Sequence, residues 1–251
     1  MSLRLKANEG DSDTYRYEQR IDLKMPPEFG GSHKLASLLV LEQTAQRVVG
    51  DTIFFGSEVK DVSVEAGDSS LNAGLDFSRF KGQHFTTKIT REARVLEIRM
   101  ADSTIAGVEA IQQSLRQLGF PTLPDHPVRI GDSWSDTTRV DASTMALPAQ
   151  GVIVSVNHAT LSDLSTRKGT TVADLAVETS FTFQPSGQAF PGLSVDMTGS
   201  RADHVRFDVT HGRFLTGTGR QSFTMSMAIP GAAGSMSIEG KATSTAKRID
   251  S

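Results

Sequence analysis

The sequence predicts a mainly β protein: a large curved antiparallel sheet or incomplete barrel of two meanders, with one central helix covering the concave face. Three observations carry that prediction. Apolar and polar residues alternate with a period of two through most of the 251 residues, the pattern of strands with one dry and one wet face. A single stretch, Thr104–Leu118, carries an apolar stripe at helical spacing instead. A triplet, Gly10-Asp11-Ser12, recurs as Gly131-Asp132-Ser133, and Asp13-Thr14 and Asp136-Thr137 follow close behind, so that each half begins with an equivalent turn and strand.

Composition narrows the function classes. The net charge is −3, with 37% hydrophobic and 22% charged residues and a pI near 6.1. No basic face for nucleic acid and no polybasic patch for anionic lipid is implied. No apolar run approaches the roughly 18–20 residues of a membrane-spanning helix; Leu38–Leu41 and Ile53–Phe55 are short islands in polar sequence. The absence of cysteine removes disulfides, thiol nucleophiles and thiolate metal sites. A chain of this length buries a sizeable core as one large β domain or as two packed halves. The expected division is residues 1–100 for a first meander, 101–134 for the helix and a proline-rich connector, and 135–251 for a second meander, all packed as one domain.

In order along the chain, Leu3 and Leu5 alternate with Arg4 and Lys6, and a turn cluster follows. Tyr15, Tyr17, Ile21, Leu23 and Met25 then recur at alternate positions apart from Gln19, as in a half-buried strand. Pro26–Ser32 is a loop, because its prolines lack donors and its glycines favour turns. Lys34–Glu65 reads as two extended runs about a turn at Gly50-Asp51, although Leu35, Leu38, Leu39, Leu41, Ala45 and Val48 also fit a helical face and keep a helix over Leu35–Val49 as the rival. Ala66–Asn72 is a polar loop, and Phe77–Ile89 with Ala93–Met100 forms a hairpin.

The helix is capped by Asp102 or Ser103, striped by Ile105, Val108, Ile111, Leu115 and Leu118, and stopped by Gly119 and Pro121. Burying each of these aliphatics is worth about 1.5–3 kcal/mol, so the helix is expected to lie against a sheet. Beyond it, Val152/Val154/Val156, Leu175/Val177/Phe181/Phe183, Val205/Phe207/Val209, Phe214, Phe223/Met225/Met227 and Met236/Ile238 set out a long meander broken by glycine turns.

Chemistry-bearing motifs are sparse. His33, His84, His126, His158, His204 and His211 show no metal-ligand spacing, and the acidic pairs Asp11/Asp13 and Asp132/Asp136 sit in turn sequence, where short carboxylates bond local backbone. Ser133 and the other serines lack a Gly-x-Ser-x-Gly elbow, and no phosphate-binding glycine loop occurs. No catalytic residue, metal ligand or cofactor is therefore nominated; an enzyme would require distant His, Asp and Ser residues to converge. Trp134 reads as a packing anchor or a pocket wall. The methionine-bearing strand Phe223–Ile229, with Met236, reads as ordinary core or as the pliable wall of a site for an apolar ligand.

Two segments carry a resemblance: Pro127-Val-Arg-Ile-Gly-Asp-Ser-Trp134 and Val205-Arg-Phe-Asp-Val-Thr-His-Gly-Arg-Phe214. With the helix between two meanders, the chain resembles a family of uncharacterised bacterial secreted or lipid-anchored proteins. That family is similar in outline to the lipoprotein-carrier (LolA/LolB-like) fold, a curved antiparallel sheet cupping a helix. The resemblance implies a non-enzymatic protein of the periplasm, outer surface or cell envelope, with a leader removed, while a cytoplasmic location stays open. The anchoring cysteine of a lipoprotein has no counterpart here.

The expected role is to bind a lipid or other hydrophobic ligand in a concave groove lined by Ile111, Leu115, Trp134, Phe223, Met225 and Met227. The alternative is a structural or interaction module that presents a β surface to an envelope partner. Nothing in the sequence assigns an oligomeric state.

Overall fold

The computed structural model describes residues 1–27, 31–67, 77–101, 120–141, 150–185, 194–228 and 235–249. The described residues form eleven strands: β1 (Ser12–Lys24), β2 (Ser32–Val49), β3 (Thr52–Ala66), β4 (His84–Thr90), β5 (Val95–Met100), β6 (Ser133–Asp141), β7 (Gly151–Arg167), β8 (Thr170–Pro185), β9 (Ser194–Asp208), β10 (Arg213–Ala228) and β11 (Ser235–Ile249). They make one antiparallel sheet in the order β5-β4-β3-β2-β1-β11-β10-β9-β8-β7-β6. Every neighbour in the sheet is a neighbour in the chain except β1 and β11, which pair from Thr14↔Ile249 to Lys24↔Glu239. The two meanders are thus joined at mid-sheet, and β5 and β6 are the edges.

Laid flat, eleven strands at about 4.8 Å spacing would hold the two edges about 48 Å apart. Instead Arg94, in the turn before β5, lies 3.5 Å from Asp136 of β6. The sheet is therefore rolled into an incomplete barrel, with no β5–β6 ladder to close it. The connector bridges the open seam: Leu123 N donates to Glu92 O at 2.7 Å, Thr122 Oγ1 to Asp136 Oδ2 at 3.0 Å, and Trp134 Nε1 to Thr122 O at 2.8 Å.

One end of the concave face is filled by the chain itself. Residues 1–8 and 120–132 cross it in extended form and hold each other through Met1 N to Val128 O at 2.6 Å and Val128 N to Met1 O at 2.8 Å. Leu3, Leu123 and Val128 are buried against Leu41, Leu161, Leu175 and Phe207 in one cluster. Phe120 stacks on Phe214 with ring centroids 4.1 Å apart and meets Tyr15 edge-on at 5.7 Å. Leu3 and Leu5 alternate with Arg4 and Lys6 because this segment lies flat on the sheet with one side inward, and it belongs to no strand.

The helix expected at Thr104–Leu118 lies outside the described residues. Among the described residues there is no α-helix, a 3-10 turn covers Ser78–Phe80, and extended chain covers the filled end of the concavity.

Residues 35–49 are strand, not helix: β2 pairs with β1 from Ser12↔Thr44 to Lys24↔Ser32. Irregularities at Val40/Leu41 and Ala45/Arg47 shift the period-two pattern, which is why the apolar positions also fit a helical face.

The second meander needs a different correction. Val152, Val154 and Val156 point outward, with Val156 44% exposed, because Ile153, Ala159 and Leu161 of the opposite parity take the inner face. A one-residue choice of parity exchanges the faces of a whole strand.

The Gly-Asp-Ser triplets are equivalent atom by atom. Gly10 and Gly131 adopt φ of 89° and 92°, a left-handed conformation that favours glycine. Asp11 Oδ2 accepts the Asn8 amide at 2.7 Å, and Asp132 Oδ2 accepts the Arg129 amide at 2.8 Å. Each turn then bonds the next strand but one along the sequence: Gly10 N to Ala45 O and Gly131 N to Leu161 O, both at 2.8 Å. The serines repeat the match, Ser12 with Thr44 and Ser133 with Thr160.

Candidate functional site

Along the strands, the concave face passes through three zones. The first is the filled apolar end. The second is polar: cross-strand register sets Gln221, Arg201, Thr179, Asn157 and Asp136 side by side on β10, β9, β8, β7 and β6. Residues directly opposite each other in a ladder share a face, so this is a continuous row. The third zone, at the far end, is apolar again.

In the polar row, Arg201 Nε donates to Asp203 Oδ1 at 2.8 Å, with side-chain exposures of 29% and 11%. Asp203 rests on Gly219, where an added Cβ would come within 2.0 Å of Oδ1; only glycine leaves room for the carboxylate. Burial raises the Asp203 pKa, against the lowering effect of Arg201. Thr179 Oγ1 donates to Asn157 Oδ1 at 2.8 Å. Unpaired burial of such groups costs a few kcal/mol each, so a row of five implies polar company on this part of the concave face.

The far zone gathers five of the eight methionines: Met25, Met197, Met225, Met227 and Met236. Met227 faces Val195 and Met236, and Met225 faces Met197 and Ile238. Two phenylalanine rings lie flat over glycines on neighbouring strands. An added Cβ at Gly199 would come within 2.2 Å of Phe181, and one at Gly240 within 2.1 Å of Phe223. The rings thus pack directly onto bare backbone, where any larger residue would collide with them. His33, opposite Leu23, has a buried Nδ1 with no hydrogen-bond partner among the described residues.

Phe223, Met225 and Met227 lie on one face of β10. Trp134 is not with them: it packs in the filled end, its indole N–H held by the connector. Ile111 and Leu115 lie outside the described residues. Arg201, Asp203 and Met197 were missed. Their signal is legible in the alternation itself, where Val177-x-Thr179-x-Phe181 and Gly219-x-Gln221-x-Phe223 place a polar residue at an inward position between apolar or small ones.

A depression of about 650 Å³ is lined by the outward-facing Glu178, Ser180, Ser200, Arg220, Ser222 and Lys241, and it also reaches Thr179, Arg201 and Gln221 of the polar row. Nearby, Ser135 Oγ lies 3.1 Å from His158 Nδ1, but both are exposed, and His158 forms no ion pair with a carboxylate among the described residues. Asp208 accepts the His211 amide at 2.9 Å and the His211 ring at 2.7 Å, which fixes the β9–β10 turn. Among the described residues no group of three or more His, Asp or Glu is placed to hold a metal ion, and no helix is long and apolar enough to cross a membrane. No protein-family model matches the chain, and no curated protein matches it.

Proposed function

We propose that the protein is a non-enzymatic binding protein of the cell envelope that holds a lipid or other hydrophobic molecule against the far zone of its concave face. The observation that carries this reading is the wall of five methionines and flat phenylalanine rings on the inward side of the rolled sheet. Methionine is unbranched and polarizable, and it adapts to acyl chains of varied shape. Open curved sheets with apolar concavities are common homes for such ligands. The Ser/Thr/Gly-rich strands favour an envelope location.

Native mass spectrometry and lipid extraction of the purified protein test the reading. A co-purifying lipid is expected, and Met197→Glu with Met225→Glu should release it while the far-ultraviolet spectrum keeps its β signature. A protein that carries no lipid and gives the same enhancement of anilinonaphthalene sulfonate fluorescence with and without the two glutamates would overturn it.

This depression supports a second reading, an interaction module whose partner rests on its serine-lined side. Capture of the same envelope protein by the parent chain, but not by an Arg220→Glu/Lys241→Glu variant, would favour it over the first.

A further inference from the structure

The concave face has a chemical order that a purely apolar ligand does not explain. The methionine wall ends at a row of polar side chains, and within that row only Arg201 offers charged donors. Its Nε is engaged by Asp203, which orients the guanidinium, while its two terminal nitrogens have no partner among the described residues. Those nitrogens form the fork that suits a carboxylate or phosphate. Asp203 is held in turn by its seat on Gly219, and Gln221 and Thr179 flank Arg201 on either side in register.

Distances along the strand set the scale. From Arg201 to Val195 at the far end of β9 is six residues, about 20 Å at 3.3–3.4 Å per residue. Gly199 and Met197, both half-buried, lead on the same inward parity to Val195, which is buried, and β10 runs beside them with Phe223 and Met225, half-buried, and Met227, buried. One cation at the start of a 20 Å apolar track matches a long single chain with an anionic head.

We infer that the occupant of the concave face is a single-chain fatty acid whose carboxylate docks on Arg201 and whose tail runs along β9 and β10 toward Val195 and Met227. This inference rests on the proposed lipid-binding role and specifies its ligand class. Asp203 and Gln221 act as positioning residues, the first through Arg201 Nε and the second as a polar neighbour of the head group.

The test compares hexadecanoate, hexadecyl phosphate and hexadecanol, each competing against anilinonaphthalene sulfonate on the full chain below its critical micelle concentration. Hexadecanoate is expected to bind roughly tenfold to a hundredfold more tightly than hexadecanol, the range of a hydrogen bond to a charged group. Arg201→Gln/Asp203→Asn, which removes both charges together and leaves no lone buried ion, should abolish that preference. Arg201→Lys should retain part of it.

Equal binding of acid and alcohol by the parent chain would overturn the assignment of Arg201 and leave the lipid-binding role standing. Tighter binding of hexadecyl phosphate than of hexadecanoate would overturn the carboxylate in favour of a phosphate head. Failure of all three chains to compete would overturn the inference and the lipid-binding role together.

Discussion

The two ends of the concave face are built on the same strands, yet they are finished differently. β8, β9 and β10 run without interruption from one to the other. At the filled end their inward residues are Leu175, Val205, Phe207 and Phe214, all buried beneath Phe120, Leu123 and Val128 of the connector and Leu3 and Leu5 of the first segment. At the far end the same strands present Phe183, Val195 and Met227, which are buried, between Phe181, Met197 and Met225, which are half-buried. The difference lies in what covers the sheet. Where the chain is its own cover, the side chains are branched or aromatic and interlock; where no described segment covers it, they are long and pliable. A sheet that needed only stability would have no reason to change its residue types halfway along.

Stability measurements offer the sharpest way to break this contrast. Phe207→Ala, at a site with no exposure, should cost about 3–5 kcal/mol, whereas Met225→Ala in the far zone should cost about 1 kcal/mol, both read from urea unfolding. Equal losses at the two sites would erase the distinction between a filled end and an adaptable one.

An alkaline titration probes the filled end alone. The chain has two tyrosines, Tyr15 and Tyr17, both buried there. Burial raises both pKa values well above the ordinary 10.0, with Asp13 adding to the effect at Tyr15. A group whose pKa is raised in the folded state favours folding below its unfolded pKa and loses that contribution as pH climbs above it. Stability should therefore fall above pH 10, and phenolate absorbance should rise cooperatively with loss of the near-ultraviolet circular dichroism signal. A smooth phenolate titration centred near pH 10 in the folded protein would contradict the packing of Phe120 over Tyr15.

The smallest effects compare the two halves with each other. Asp11→Ala and Asp132→Ala remove the same turn bond from the two Gly-Asp-Ser motifs, and each should cost about 1 kcal/mol. A difference greater than 1 kcal/mol between them would show that the two turns, alike in geometry, differ in strain or solvation.

Much of this architecture was written in period-two alternation. The long strands of the second meander, the loop at Pro26, the β4–β5 hairpin and the repeated Gly-Asp-Ser start follow from turn chemistry and pattern alone. The inward parity of β7 did not, because Val152, Val154 and Val156 offer as apolar a face as Ile153, Ala159 and Leu161, and only pairing with β8 decides between them. The covering role of residues 1–8 and 120–132 was hidden for another reason: an extended segment lying on a sheet alternates just as a strand within it does. In the candidate site, the methionine strand was visible as composition. Arg201 was not, since its meaning depends on Gln221 and Thr179 arriving beside it from the two neighbouring strands, and on Asn157 from the strand beyond.

The pairing of β1 with β11 has a consequence for how the molecule is made. On the ribosome, β1 through β5 can assemble as a local meander, and so can β6 through β10, because each strand meets its predecessor across a short or moderate loop. The seam between them waits for β11, which emerges last and must join a strand synthesised some 200 residues earlier. Until then β1 and β10 both stand as open edges, each with a free ladder of amide and carbonyl groups. The middle of the finished sheet is thus the last part to form, and the nascent chain exposes the open edge of β1 for nearly the whole of synthesis, the interval in which a chaperone or a misplaced copy would find it.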